Sequence, residues 1–139
     1  MPNELPRAMQ IGTAIPKSVL TVMNQLYQIE KKLTKIPEAS DLRRNIDRMK
    51  DAFAEEGLPV FDAGGGAYHV YLTYENPMGQ VFKETRTDLE ATIAGSSTDN
   101  LVVAEVIKPI IRATLKGDEA GFSKIIQKGI VIVESQKEN

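Results

Sequence analysis

The stretch that decides the fold is Leu101–Ser135. It reads Leu-Val-Val-Ala-Glu-Val-Ile-Lys-Pro-Ile-Ile-Arg over 101–112, then a polar connector, then Ile-Ile-Gln-Lys-Gly-Ile-Val-Ile-Val-Glu-Ser over 125–135. Branching at Cβ stiffens χ1 in a helix and packs well on a pleated surface, so both runs favour strands. Leu101–Ile107 reads as one strand, apolar except for Glu105. Ile125–Glu134 reads as the last strand, with Gly129 as a bulge or bend. Arg112–Gly121 between them reads as a turn or one short helix.

Further upstream, Ala67–Tyr74 is rich in strand formers, with Tyr68, Val70, Leu72 and Tyr74 on one face and His69, Tyr71 and Thr73 on the other. Asn76-Pro77-Met78-Gly79 is a turn, and the threonines of the returning segment favour a strand over 81–93, paired as a hairpin around Pro77, although Asp88–Ala94 is also compatible with a helix. Residues 95–100 form a polar loop. Leu58–Ala63 is a short strand or connector. Gly64-Gly65-Gly66 follows it, but a phosphate cradle needs a helix N-terminus next, and here strand formers come next. A turn or hinge is the better reading.

Ahead of these strands lies helical sequence. Pro16 opens a first helix, in which Val19, Val22, Leu26, Ile29, Leu33 and Ile36 recur at spacings of 3, 4, 3, 4 and 3, a short heptad seam. Pro37 ends it. Ser40 and Asp41 are candidate caps for a second helix carrying Leu42, Ile46, Met49 and Phe53, with Gly57 as its stop. The order of helices first and strands after argues an α+β chain. The expected layout is an arm over 1–15, a helical hairpin over 16–57 that dimerises as a bundle, and a small, mainly antiparallel β-rich domain over 58–139.

Composition narrows the function. The 139 residues contain no cysteine and one histidine, His69. Thiolate chemistry, disulfides and multi-histidine metal sites are therefore excluded, and a reducing, cytoplasmic setting is expected. No metal and no cofactor is expected. With 17 basic and 19 acidic residues and a net charge of −2, nothing in the electrostatics calls for nucleic acid or an anionic membrane. No apolar run approaches the ~20 residues of a membrane span.

Few residues are candidates for chemistry. Glu84, Arg86, Asp88 and Glu90 would alternate along one strand face, where they would bind a polar ligand or form a solvated row of charge pairs. His69 between tyrosines lacks a neighbouring nucleophile. Tyr68, Tyr71 and Tyr74 suit core or interface packing, and Arg112, Lys124 and Lys128 are too scattered to define an anion site.

Gly57-Leu58 after a helix, Gly79-x-x-Phe82, Glu90-Ala91, Val103-Ala104-Glu105-Val106, Lys124-Ile125-Ile126 and Val131-Ile132-Val133 occur in an order that resembles the C-terminal β domain of the GrpE family, the nucleotide exchange factors of DnaK-type chaperones. The resemblance spans about residues 40–134. Lys83-Glu84, Leu89, Ile110-Ile111 and Lys128-Gly129 depart from the family pattern. It implies a homodimer through paired helices and a β domain that contacts the ATPase. The expected function is thus a non-enzymatic exchange factor or cochaperone, with Arg86, Asp88 and Glu90 touching the partner and Val19, Val22, Leu26, Ile29, Leu33 and Ile36 in the dimer. The alternatives are an interaction module of the same fold with another protein partner, or a small ligand-binding protein or enzyme using the Glu84-Arg86-Asp88 face with His69.

Overall fold

Helix α1 covers Lys17–Leu33, and Pro16 holds extended backbone (φ −61°, ψ 146°) just ahead of it. The computed structural model describes residues 15–61, 64, 66–115 and 122–136. The expected arm, apart from Ile15, lies outside the described residues, as do Gly65 of the triple glycine and the connector at 116–121. The described residues hold two α-helices and seven strands in two sheets, an α+β chain.

The end of α1 follows from local chemistry. Arg43 Nη2 donates to the Leu33 carbonyl (2.7 Å) and Thr34 Oγ1 to the Lys31 carbonyl (2.6 Å), so two orphan acceptors of the last turn are satisfied. Pro37 disfavours helical backbone at Ile36. Ile36, the last residue of the expected seam, therefore falls beyond the helix. Helix α2 runs Ser40–Asp51 and continues as a π-helical turn over Ala52–Glu56. Its N-cap is Ala39 with no side-chain cap bond, so Ser40 and Asp41 are not the expected caps; both lie in the first turn, where Asp41 meets the positive helix end. Gly57 stops the helix at φ +78°, its N–H bonded to the Ala52 carbonyl (3.0 Å). The two helices contact each other. Arg43 meets Leu33, and farther back along α1 Lys50 Nζ meets Glu30 Oε2 (3.0 Å), so the two run antiparallel.

Seven strands follow: β1 (Leu58–Phe61), β2 (Ala67–Glu75), β3 (Leu89–Ala94), β4 (Leu101–Lys108), β5 (Ile110–Leu115), β6 (Phe122–Gln127) and β7 (Gly129–Ser135). One sheet has the order β1-β2-β5-β6, the other β3-β7-β4. The chain divides into two compact units, residues up to 73 with 112–126, and 74–111 with the residues from 127 on. Helices and first strands share a unit, so the change from helix to strand at residue 57 is a boundary of secondary structure and not of packing.

In the first unit, β1 and β2 pair antiparallel from Leu58↔Val70 to Phe61↔Ala67. Tyr68, Val70 and Leu72 are buried while His69 and Thr73 are exposed, as alternation requires. The buried stripe of α1 is Met23, Leu26, Tyr27 and Leu33, and α2 adds Ile46. The expected seam is thus split. Leu26 and Leu33 point into the core, whereas Val22 and Ile29 remain outside it.

Beyond β2 three expectations change. The turn at Pro77 forms, with Gln80 N donating to the Pro77 carbonyl (3.1 Å) and Gly79 at φ +79°, but no β2–β3 hairpin follows. Residues 79–82 instead run beside β4: Gly79 N donates to Val103 O, Val103 N to Gln80 O and Phe82 N to Leu101 O (3.0, 2.9 and 2.9 Å). β3 starts only at Leu89 and pairs with β7 in parallel, so this sheet is mixed and not antiparallel throughout. Finally, the apolar tail holds more strands than its runs suggest. Arg112–Leu115 belongs to β5, not to a turn or helix, because Ile111, Ala113 and Leu115 alternate into a core. Ile125–Glu134 is two strands in different sheets, interrupted at Lys128. Pro109 and Lys128 mark the changes of sheet from β4 to β5 and from β6 to β7. There Gln127 Nε2 donates to the Pro109 carbonyl (2.9 Å), and proline's missing N–H interrupts no ladder.

Candidate functional site

The expected row Glu84-Arg86-Asp88-Glu90 does not exist as a strand face. Residues 83–86 form a turn closed by Arg86 N to the Lys83 carbonyl (2.9 Å), and only Glu90 of the four lies in β3. Arg86 and Asp88 meet each other. The guanidinium grips the carboxylate in a two-bond fork, Nε to Oδ1 at 2.9 Å and Nη2 to Oδ2 at 2.8 Å, while Nη1 donates to the Val81 carbonyl (3.1 Å). The two side chains are 23% and 16% exposed, so this pair is sheltered from solvent. The Asp88 hydrogen bonds hold Arg86 more firmly protonated than an ordinary arginine; partial burial works against this, and the charges of Asp88 and Glu75 reinforce it. Next to the fork, the Asp88 carbonyl accepts from Gly129 N (2.9 Å), the first residue of β7. Arg86 and Asp88 thus fasten the edge segment at Val81 to the start of the β3–β7 pair. Glu84 is exposed in its turn, and Glu90 is exposed on β3.

His69 belongs to the first unit, exposed on β2 with its ring stacked toward Tyr71 at 6.5 Å between centroids. Among the described residues no three His, Asp or Glu side chains gather in a way suited to a metal ion, and no helix is long and apolar enough to cross a membrane. An open groove of about 430 Å³ runs past Val81, Phe82, Ile93 and Leu101 in the second unit, with Lys83, Glu84 and Asp99 at its margin.

On the helices, the seam residues divide by exposure. Val22 and Ile29 on α1 are 47% and 43% exposed, and Leu42 and Met49 on α2 are 55% and 42% exposed. Each pair is seven residues apart. Ile29 and Met49 each precede a member of the Glu30–Lys50 pair, so they stand at the same level along the two helices. Val19 is half-buried.

The register of the second sheet assembles a set of residues that sequence reading missed. Partners across a ladder share a face, which gives three rows: Glu90, Ile130 and Lys108; Thr92, Ile132 and Glu105; Ala94, Glu134 and Val102. The opposite face carries Val103, Val106, Val131 and Val133, all buried. Glu90, Glu105, Glu134 and Lys108 are exposed, and Ile130, Ile132 and Val102 are half-buried. Val81 bridges to Val102 and is 58% exposed. The sequence signal for this face was available only in part: Ile130 and Ile132 alternate with the core valines, but nothing local ties them to Glu90 or Glu105.

No protein-family model matches the chain, and no curated protein and no solved structure matches it.

Proposed function

We propose that the chain is a non-enzymatic, cytoplasmic binding protein that self-associates through its helical pair and presents its strands to a protein partner, in the manner of a GrpE-like exchange factor acting on a DnaK-type ATPase. The observation that carries this reading is the set Val22, Ile29, Leu42 and Met49, repeating every seventh residue on both helices and lying outside the core. Side chains at this spacing form a continuous seam when helices pair. Covering a half-exposed aliphatic side chain contributes roughly 1 kcal/mol, so a second hairpin laid on this seam would be stabilised by several such terms. The absence of cysteine fits a reducing compartment. An exchange factor needs no reacting groups of its own. It shifts nucleotide affinity by binding one conformation of the ATPase better than another. β3 ends its sheet and offers strand edge for such a contact.

Two measurements test the reading. The mass in solution at micromolar concentration is expected to be twice that of one chain. Ile29→Asp is expected to return it toward one chain without unfolding, because Ile29 is outside the monomer core whereas Leu26 is inside it. A single-chain mass for the wild type would refute self-association. Release of a fluorescent nucleotide from a DnaK-type ATPase of the same organism is expected to accelerate when the protein is added, and an unchanged rate would refute the exchange role.

A further inference from the structure

We propose that the open face of the second sheet, built from β3, β7 and β4, docks a protein partner whose contact surface is apolar at its centre and basic at its rim. The inference rests on the binding reading above but not on the exchange role.

The middle of this face is Ile130 and Ile132 on the central strand β7, with Val102 and Val81 beside them. These residues are not the core of the unit, which lies on the opposite face at Val103, Val131 and Val133. A sheet face meant only for water alternates polar residues outward. Here the central strand instead places two isoleucines there, and Thr92 and Ala94 beside them are too short to shield them. Charges surround this centre: Glu90, Glu105 and Glu134 are exposed, and Lys108 stands at one corner. An apolar middle with a charged, solvated rim is the anatomy of a protein contact.

The sign of the rim selects the partner. Three carboxylates against one ammonium leave a net charge of −2 on the face at neutral pH, which attracts basic surfaces and repels nucleic acid and anionic lipid. Backbone irregularities build this rim. The ladder of β4 with β7 shifts register between Val103 and Glu105 and again between Val106 and Lys108. The register with β7 steps from Val103 to Glu105 and from Val106 to Lys108, one residue more than simple alternation at each shift. Simple alternation would set Glu105 beside Val103 on the core face; the first shift turns its carboxylate outward instead.

The test uses two synthetic amphipathic helical peptides of one pattern, one of leucine and lysine and the other of leucine and glutamate, titrated into the full chain and followed by backbone amide NMR. The leucine–lysine peptide is expected to move resonances of β3, β7 and β4, and to bind more weakly as salt is raised. The charge-reversed variant Glu90→Lys/Glu105→Lys/Glu134→Lys is expected to lose about tenfold or more in affinity for it, from three rim charges of modest individual worth, and to gain affinity for the leucine–glutamate peptide. If the triple variant does not fold, Glu105→Lys alone is expected to lose about twofold to threefold. Ile132→Thr, which keeps the strand preference, is expected to weaken both salt-dependent and salt-resistant binding. Equal binding of the two peptides, shifts confined to other elements, or indifference to charge reversal would overturn the proposal. So would shifts of these strands on raising the protein's own concentration alone, which would assign the face to a second copy. No chaperone enters this experiment, so a failed exchange assay and a failed docking assay remain separate results.

Discussion

Removing the Arg86–Asp88 fork is expected to destabilise the second unit by an amount that exposed charge pairs do not reach. The fork has two charge-assisted bonds at 2.9 and 2.8 Å, and its side chains are 23% and 16% exposed. Pairs open to solvent contribute about 0.2–1 kcal/mol, whereas hydrogen bonds to charged groups in sheltered positions contribute about 1.5–3 kcal/mol. With roughly a fifth of each side chain still in water, the coupling between the two residues is expected near 1.5–2 kcal/mol. Arg86→Ala also frees the Val81 carbonyl, which adds a smaller loss at the sheet edge. The assay is a double-mutant cycle: wild type, Arg86→Ala, Asp88→Ala and the double variant, each unfolded in urea and followed by circular dichroism. Glu90→Ala is the control, since an exposed strand residue is expected to shift stability by less than about 0.5 kcal/mol. Raising the salt concentration is expected to reduce the coupling only in part. A coupling below about 0.5 kcal/mol would refute the argument, because the fork would then behave as a surface pair and Arg86 would again be available to a partner.

Three further outcomes rest on close contacts and burial elsewhere in the molecule. Gly129→Ala is expected to cost about 1–3 kcal/mol by overpacking, since the added methyl would sit 2.8 Å from Leu89 Cδ2 and 3.0 Å from Ile110 Cγ1, and urea unfolding measures it. Gly57→Ala is expected to cost about 1–2 kcal/mol from the left-handed backbone at φ +78° together with contact at 3.0 Å to the Tyr71 ring, read as a lowered thermal midpoint. Tyr27 should ionise above the ordinary tyrosine value of 10.0, because burial first, and the Glu30 charge second, raise it. Its folded value is raised, so the stability it supplies is complete below pH 10 and is lost as pH rises through the higher folded value. In absorbance titration Tyr27→Phe is expected to lose one tyrosinate signal that the wild type develops above pH 10, and an unchanged signal there would contradict the assignment.

The sequence by itself determined the elements whose causes are local. Strand β2 shows its two faces in the alternation from Tyr68 to Tyr74, because side chains on a strand point to opposite sides by backbone geometry alone. Gly57 reads as a helix stop because only glycine takes φ +78° without strain. Proline before the first helix, the turn at Asn76–Gly79 and the β-branched tail are likewise legible without a neighbour.

Tertiary structure decided everything that depends on which strands meet. Val81 lies against β4 and not β2, and Leu89–Ala94 pairs in parallel with β7, some forty residues later in the chain, because ladder bonds are equally available to any strand and burial of a whole face selects among them. Arg86 and Asp88, two residues apart, would alternate outward on a strand; the turn over 83–86 brings them into one fork instead. On α1 the spacing alone cannot say which side of a seam is core, so Leu26 went inward and Ile29 outward. Glu105 is the sharpest case. Period-two reading places it among buried valines, where an ionised carboxylate would be costly, and the register shift after Val103 places it at the rim of an open face. A bulge of this kind answers to the strand across the ladder, and that strand lies outside any local window of sequence.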